Sequence, residues 1–130
     1  MPFYNYSEKG EDRASGFERV ETEPNPDVIF RALSHRRRRC ILHHLHGVKQ
    51  AKVTELTQQI GSWEEKRHTE TTSDGVRREI KTSLLHTHLP VLHDAKLIEY
   101  DEHTTTAIAR GLPEIVVISI EYCVPIDLPE

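Results

Sequence analysis

Apolar positions along this chain fall into helical spacing four times, then alternate briefly, and finally run together. Val28, Ile29, Phe30 and Leu33 form the first apolar face. It is entered through Pro24-Asn25-Pro26-Asp27, where Asp27 is placed to cap the amides that follow. Ser34-His35 interrupts the pattern, with Ser34 as the expected cap of a second helix from Arg36 to about His46. Cys40, Ile41 and Leu45 point inward on it, Leu42 lies beside them, and Gly47 is the stop signal. A third helix is predicted from Val53 to about Arg67, with Thr54 as N-cap and with Val53, Leu56, Ile60 and Trp63 on its apolar side. His68 to Gly75 reads as a polar connector. It is longer than the tight turn of a minimal helix-turn-helix, so the angle between the helices it joins is poorly fixed by sequence.

The fourth block carries the strongest pattern. Ile80, Leu84, His88 or Leu89, and Leu92 recur at three- and four-residue steps, while Arg77, Arg78, Lys81 and Thr82 fill the opposite face. Pro90 removes the backbone bond to the His86 carbonyl, so a kink is expected there. Ala95 and Leu97 close the apolar stripe. Leu97 to Asp101 then looks like a strand, Glu102 to Thr105 like a turn, and Thr106 to Ala109 like a returning strand. A basic helix leading into a β-hairpin is the recognition helix and wing of a winged helix-turn-helix. The expected fold is therefore mainly α with a small β-hairpin, a winged helix-turn-helix over residues 26–111. Residues 112–124 form an apolar dimerisation segment, helix or strand: Ile115, Val116, Val117, Ile118 and Ile120 favour a strand, but Gly111-Leu112-Pro113-Glu114 is a good helix opening. A helix packed across a two-fold axis on its copy is the preferred reading, with Ile115, Val116, Ile118, Ser119 and Tyr122 at the contact.

Composition narrows the class. The 130 residues suffice for one domain with a modest core, and no apolar run approaches a bilayer span. Residues 1–25 are polar and lack a sustained period, so a flexible tail is expected. Phe3, Tyr4, Tyr6 and Phe17 are either chance exposed aromatics or a short docking arm. Residues 125–130 read as a second tail. The N-terminus lacks the basic start and apolar core of a signal peptide, which makes the cytoplasm the expected compartment. Cys40 and Cys123 sit in separate apolar segments, as buried free thiols do. Net charge is −4, so DNA binding would require the basic residues to gather on one surface, and they do concentrate at positions 36–39 and 77–81.

Three runs carry a family resemblance: Asp27-Val-Ile-Phe-Arg-Ala-Leu-Ser-His-Arg-Arg-Arg-Arg, Val53-Thr-Glu-Leu, and Leu85-His-Thr-His-Leu-Pro-Val-Leu. With them the chain resembles a winged-helix domain of unknown function common in haloarchaea, itself similar to ArsR-type repressors. The resemblance covers about residues 27–109. It implies a three- or four-helix core, a two-stranded wing and dimerisation, and sequence-specific DNA binding by analogy. Two features depart from it. The hairpin residues Asp101-Glu102-His103-Thr104 are acidic where a DNA-reading wing is usually basic, and no separate ligand-binding domain is apparent.

These residues point to a homodimeric regulator that binds double-stranded DNA. Its candidate contacts are Arg77, Arg78, Lys81, Thr82 and His86 on the fourth helix, Arg36 and Arg37 on the second, and His103 and Thr104 on the hairpin. Arginine grips guanine O6 and N7 in a bidentate pair, and threonine touches phosphate or a thymine methyl. Arg36 to Arg39 step about 100° apart around a helix and cannot share one face. At least one is as well suited to a structural pair, with Glu55 or Asp94 as candidates. Cys40, His43 and His44 have converging spacing, but no compact zinc set is present, and no metal, cofactor or small-molecule ligand is expected. No phosphate loop, nucleophile elbow or paired-carboxylate motif appears, so an enzyme is not expected. The alternative is a winged helix that binds other proteins, with its acidic hairpin and tails weakening any hold on DNA.

Overall fold

A computed structural model describes residues 25–68 and 73–129. The N-terminal tail with its aromatic residues, and part of the polar connector, lie outside the described residues. The chain is mainly helical, with one three-stranded antiparallel sheet, in the order α1 (Pro26–Leu33), α2 (Arg36–Val48), β1 (Gln50–Lys52), α3 (Val53–His68) and α4 (Asp74–Ser83). A π-helical turn (Leu84–His88) follows, then α5 (Leu89–Asp94), β2 (Glu99–Asp101), β3 (Thr106–Ile108) and α6 (Glu114–Asp127). This layout is compatible with a winged-helix-like arrangement.

The caps differ from expectation. Asn25, not Asp27, caps α1: its Oδ1 accepts the Asp27 amide at 2.7 Å. Pro26 occupies the first helical position and has no N–H, so the cap oxygen serves the next amide. Ser34 ends α1 rather than starting α2, because its hydroxyl donates to the Arg31 carbonyl at 2.7 Å. His35 caps α2 instead, its Nδ1 accepting the Arg37 amide at 3.1 Å. Gly47 does not stop α2, which runs to Val48 before Lys49 turns the chain with a φ of 77°. Thr54 is not the cap of α3 either. That helix starts at Val53, whose amide donates to the Thr105 carbonyl at 2.9 Å.

The sheet has one strand more than expected. Order β1-β3-β2 places β3 in the centre, with Ala107 opposite both Ala51 and Tyr100. Thus the hairpin is stitched back onto the α2–α3 junction. Asp101 Oδ1 accepts the His103 and Thr104 amides at 2.9 and 3.4 Å, which stabilises the hairpin turn.

The expected kink at Pro90 takes the form of the π-helical turn. Leu89 donates to the Leu84 carbonyl five residues back, and proline, with no N–H, then opens α5. The extra residue in this turn buries both His88 and Leu89, which sequence spacing offers as alternatives. At the end of α5 the Leu97 amide reaches the Leu92 carbonyl at 3.1 Å and Lys96 reaches His93 at 2.9 Å. Lys96 has a φ of 64°, so this is a Schellman closure without glycine.

The core joins Ile29 and Leu33 of α1, Ile41, Leu42 and Leu45 of α2, Val53, Leu56 and Ile60 of α3, and Ile80, Leu84, Leu89 and Leu92 beyond. Residues 112–124 are largely helical, which settles the ambiguity of that segment. The helix does not end before Pro125, however, but continues to Asp127, so residues 125–127 are not tail. It packs mainly on α2 and also on α1, and it adds Val116 and Ile120 to the core. Val116 is 0% exposed and is therefore internal to the protomer, which removes it from the expected dimer contact.

Candidate nucleic-acid interface

Helix α4 is capped by Ser73, whose hydroxyl accepts the Val76 amide at 3.2 Å, and Asp74 adds a negative charge in the first turn. Its anchor is Ile80, which is fully buried. At about 100° per residue, Arg78, Lys81 and Thr82 fall within an arc of roughly 100° on the side away from Ile80. All three are exposed, as is His86 in the following turn. Arg77 lies at one flank of this arc and is half-buried. Among the described residues, no ion pair engages Arg77, Arg78 or Lys81. Arg78, Thr82 and His86 line a shallow depression together with Gly75, Glu79, Ser83 and Thr87. Hairpin residues His103 and Thr104 are exposed at the β2–β3 turn. Their amides are already occupied by Asp101, and the Thr104 hydroxyl donates to Thr106 Oγ1 at 2.9 Å.

The four consecutive arginines do something else. Arg37 donates to Glu64 on α3 (2.7 and 3.0 Å), to Glu79 on α4 (3.1 and 3.0 Å) and to Ser83 Oγ (2.9 Å). Hydrogen bonds to Glu64 lead the effects that raise its pKa, and Glu79 is correspondingly lowered, first by its hydrogen bond from Arg37. Arg38 is buried and donates to the Ala32 and Arg31 carbonyls at 3.0 and 2.9 Å, to Ser34 Oγ at 3.2 Å, and to His88 Nδ1 at 3.2 Å. Arg39 grips the buried Asp127 carboxylate at 2.7 and 2.9 Å, and Arg36 reaches the same carboxylate at 3.5 Å. Burial alone would raise the Asp127 pKa, but the bond and charge of Arg39, joined by Arg36, bring it below the ordinary value.

Of the two arginines expected at DNA, Arg37 is therefore engaged by the protein's own carboxylates, while Arg36 keeps 43% of its side chain exposed. The acidic partners are Glu64, Glu79 and Asp127 rather than Glu55 or Asp94. Glu55 instead lies 2.7 Å from His44 Nε2, and Asp94 lies 3.9 Å from its neighbour His93. Sequence reasoning misses these partners because they sit 27, 42, 91 and 88 residues from their arginines. A local clue is the step of one helical turn from Glu79 to Ser83.

His88 is linked to this cluster. A guanidinium can only donate, so Nδ1 must be the acceptor, and the ring is neutral with its proton on Nε2. Burial first, then the nearby charges of His35 and Arg38, push its pKa down to about 4. The His35 ring lies 4.4 Å from that of His88, and its pKa is also lowered, mainly by burial and then by Arg38. Thus Ser34, His35 and Arg38 of one run meet His88 of the other, far apart in sequence, around the buried Arg38–His88 pair.

Cys40, His43 and His44 do not converge. Cys40 is buried, its thiol pushed up to about 12 chiefly by burial, while both imidazoles lie 6.4 Å from the Trp63 ring. Cys123 is also a free thiol and is half-buried. Among the described residues no three His, Cys, Asp or Glu side chains gather as a metal site would need, and no helix is long and apolar enough to cross a membrane.

A family model for a domain of unknown function, DUF7344, matches residues 30–107. The chain belongs to the DUF7344 family. The matched span runs from within α1 through most of β3, so α2, α4, the π-helical turn and all but the last residue of the hairpin lie within the DUF7344 match, whereas α6 lies beyond it. Comparisons with curated proteins and with solved structures gave no match.

Proposed function

We propose that the protein is a transcriptional regulator that binds double-stranded DNA as a homodimer, with α4 entering the major groove and the β2–β3 hairpin lying beside the backbone. The observation that carries this reading is the exposed Arg78–Lys81–Thr82 face, held outward by the burial of Ile80 on the opposite side. Those side chains suit phosphate anchoring and base-edge readout from one helix. The resemblance to ArsR-type repressors supports the same role by analogy. Dimerisation is supported by α6, where Ile115, Ile118, Tyr122 and Ile126 are 49%, 54%, 77% and 60% exposed. Their spacing of three, four and four residues makes a continuous apolar stripe, with Ser119 half-buried beside it.

Replacing Arg78 and Lys81 together by alanine tests the assignment. Affinity for DNA should fall, and the dependence of log K on log salt should flatten by roughly 0.9 for each phosphate that is no longer neutralised. Unaltered binding would take α4 out of the interface. A protein-binding winged helix remains the second reading, favoured by the exposed acidic residues Glu99 and Glu102 on the hairpin. Asp101 argues less for it, because its carboxylate stabilises the turn. On that reading, the wild-type protein would fail to enrich any duplex from random-sequence DNA.

A further inference from the structure

Helices α3 and α4 are joined through residues 69–72, Thr-Glu-Thr-Thr, a sequence with nothing in it to set the angle between them. The two helices nevertheless pack together, and one side chain from a third helix touches both. Arg37 uses all five of its N–H groups: Nε and Nη2 on Glu64 of α3, Nη1 and Nη2 on Glu79 of α4, and Nη1 again on Ser83. Its side chain is 16% exposed and that of Glu64 is 25%, so the clamp is shielded on the α3 side. Glu79 is 61% exposed and lies at the edge of the basic face, next to Arg78. Left unpaired, its carboxylate would oppose a phosphate approaching that face.

We infer that Arg37 is a positioning residue for the DNA-binding helix and not itself a DNA contact. It sets the α3–α4 angle by gripping Glu64 and Glu79 at once, and it neutralises the carboxylate that borders Arg78. This inference rests on the reading of α4 as the DNA-binding helix. Lysine cannot take over the role. Its ammonium is a compact point charge with three donors, whereas bidentate contact with two carboxylates needs the planar guanidinium fork.

The test compares wild type with Arg37→Lys, Glu64→Gln and the Arg78→Ala/Lys81→Ala double variant. Binding is measured at several salt concentrations on a labelled duplex selected by the wild-type protein from random-sequence DNA. Amide exchange over residues 74–83 is followed in parallel. Arg37→Lys should bind about tenfold more weakly, with an unchanged salt slope and faster exchange in α4. Glu64→Gln, a milder change far from the basic face, should move affinity and exchange in the same direction by less. The Arg78→Ala/Lys81→Ala variant should flatten the slope without faster exchange. Wild-type affinity in Arg37→Lys would overturn the inference, because any cation would then suffice. So would a slope in Arg37→Lys reduced like that of the double variant, which would make Arg37 a phosphate contact. If no duplex is enriched by the wild type, the regulator reading falls, and exchange alone decides the clamp: unchanged protection of α4 in Arg37→Lys would refute it.

Discussion

At the scale of single residues, the four arginines show how composition misleads about surface charge. Arg36 to Arg39 diverge around α2, as the helical step requires, but all four reach the protein's own acceptors, Arg36 with the longest contact. Their divergence is legible in the sequence because it depends only on adjacent positions. Their partners are not, because a carboxylate anywhere in the chain can fold back onto an arginine. His88 makes a testable case. Its folded-state pKa, about 4, lies below the unfolded value of 6.5. The stability contributed by the neutral ring is therefore complete above pH 6.5 and is lost as pH falls toward about 4. The loss should be about 3 kcal/mol. His88→Asn keeps an acceptor for Arg38 but does not titrate, so urea denaturation should show a shallower decline over this window. His35 and His43, also lowered chiefly by burial, will keep part of the slope. A decline as steep as in the wild type would show that His88 is not its main source.

At the scale of elements, the long periodic helices and the hairpin are readable from spacing, while short-range geometry is not. β1 has only three residues, of which Ala51 alone is buried, and so shows no pattern of its own. It exists because β3 offers it a free edge. The sequence announces the π-helical turn only as a kink at Pro90. A missing N–H says that a helix must yield, whereas the choice of a widened turn depends on whether His88 and Leu89 can both find room in the core. The closure of α5 gives a prediction at this scale. Lys96 holds a φ of 64°, a region that is unfavourable for a residue with a Cβ. Lys96→Gly should therefore stabilise the protein by about 1 kcal/mol in chemical denaturation. A drop in stability would mean that the lysine side chain contributes more than its backbone strain costs.

At the scale of the whole molecule, α6 has two distinct sides. Val116 and Ile120 complete the core, and Asp127 ties the end of the helix to Arg39 of α2. The other side carries the apolar stripe of Ile115, Ile118, Tyr122 and Ile126. Sedimentation should therefore give twice the 15.0 kDa of one chain. Ile118→Glu with Tyr122→Glu should reduce this to one chain while leaving helix content intact, because both positions are more than half exposed in the protomer. Val116→Glu should instead unfold the protein, since it would place an unpaired charge in the core. A wild-type protein sedimenting as a single chain at low micromolar concentration would remove the dimer.

The linear pattern by itself determined that the first four apolar blocks are helical, that residues such as Ile41, Leu45, Ile80 and Leu84 enter the core, and that Arg78, Lys81 and Thr82 share a face, because helical periodicity is a property of neighbours in sequence. It did not decide that residues 112–124 are helical, that Val116 is buried, or that Val28 and Phe30 of the first apolar face stay exposed. Only the tertiary structure decided which arginines remain available at the surface, how α3 and α4 are held, and which side of α6 is exposed. Those outcomes depend on Glu64, Glu79, His88 and Asp127 meeting α2 from distant parts of the chain, and pairing over such separations leaves no periodic trace in the sequence.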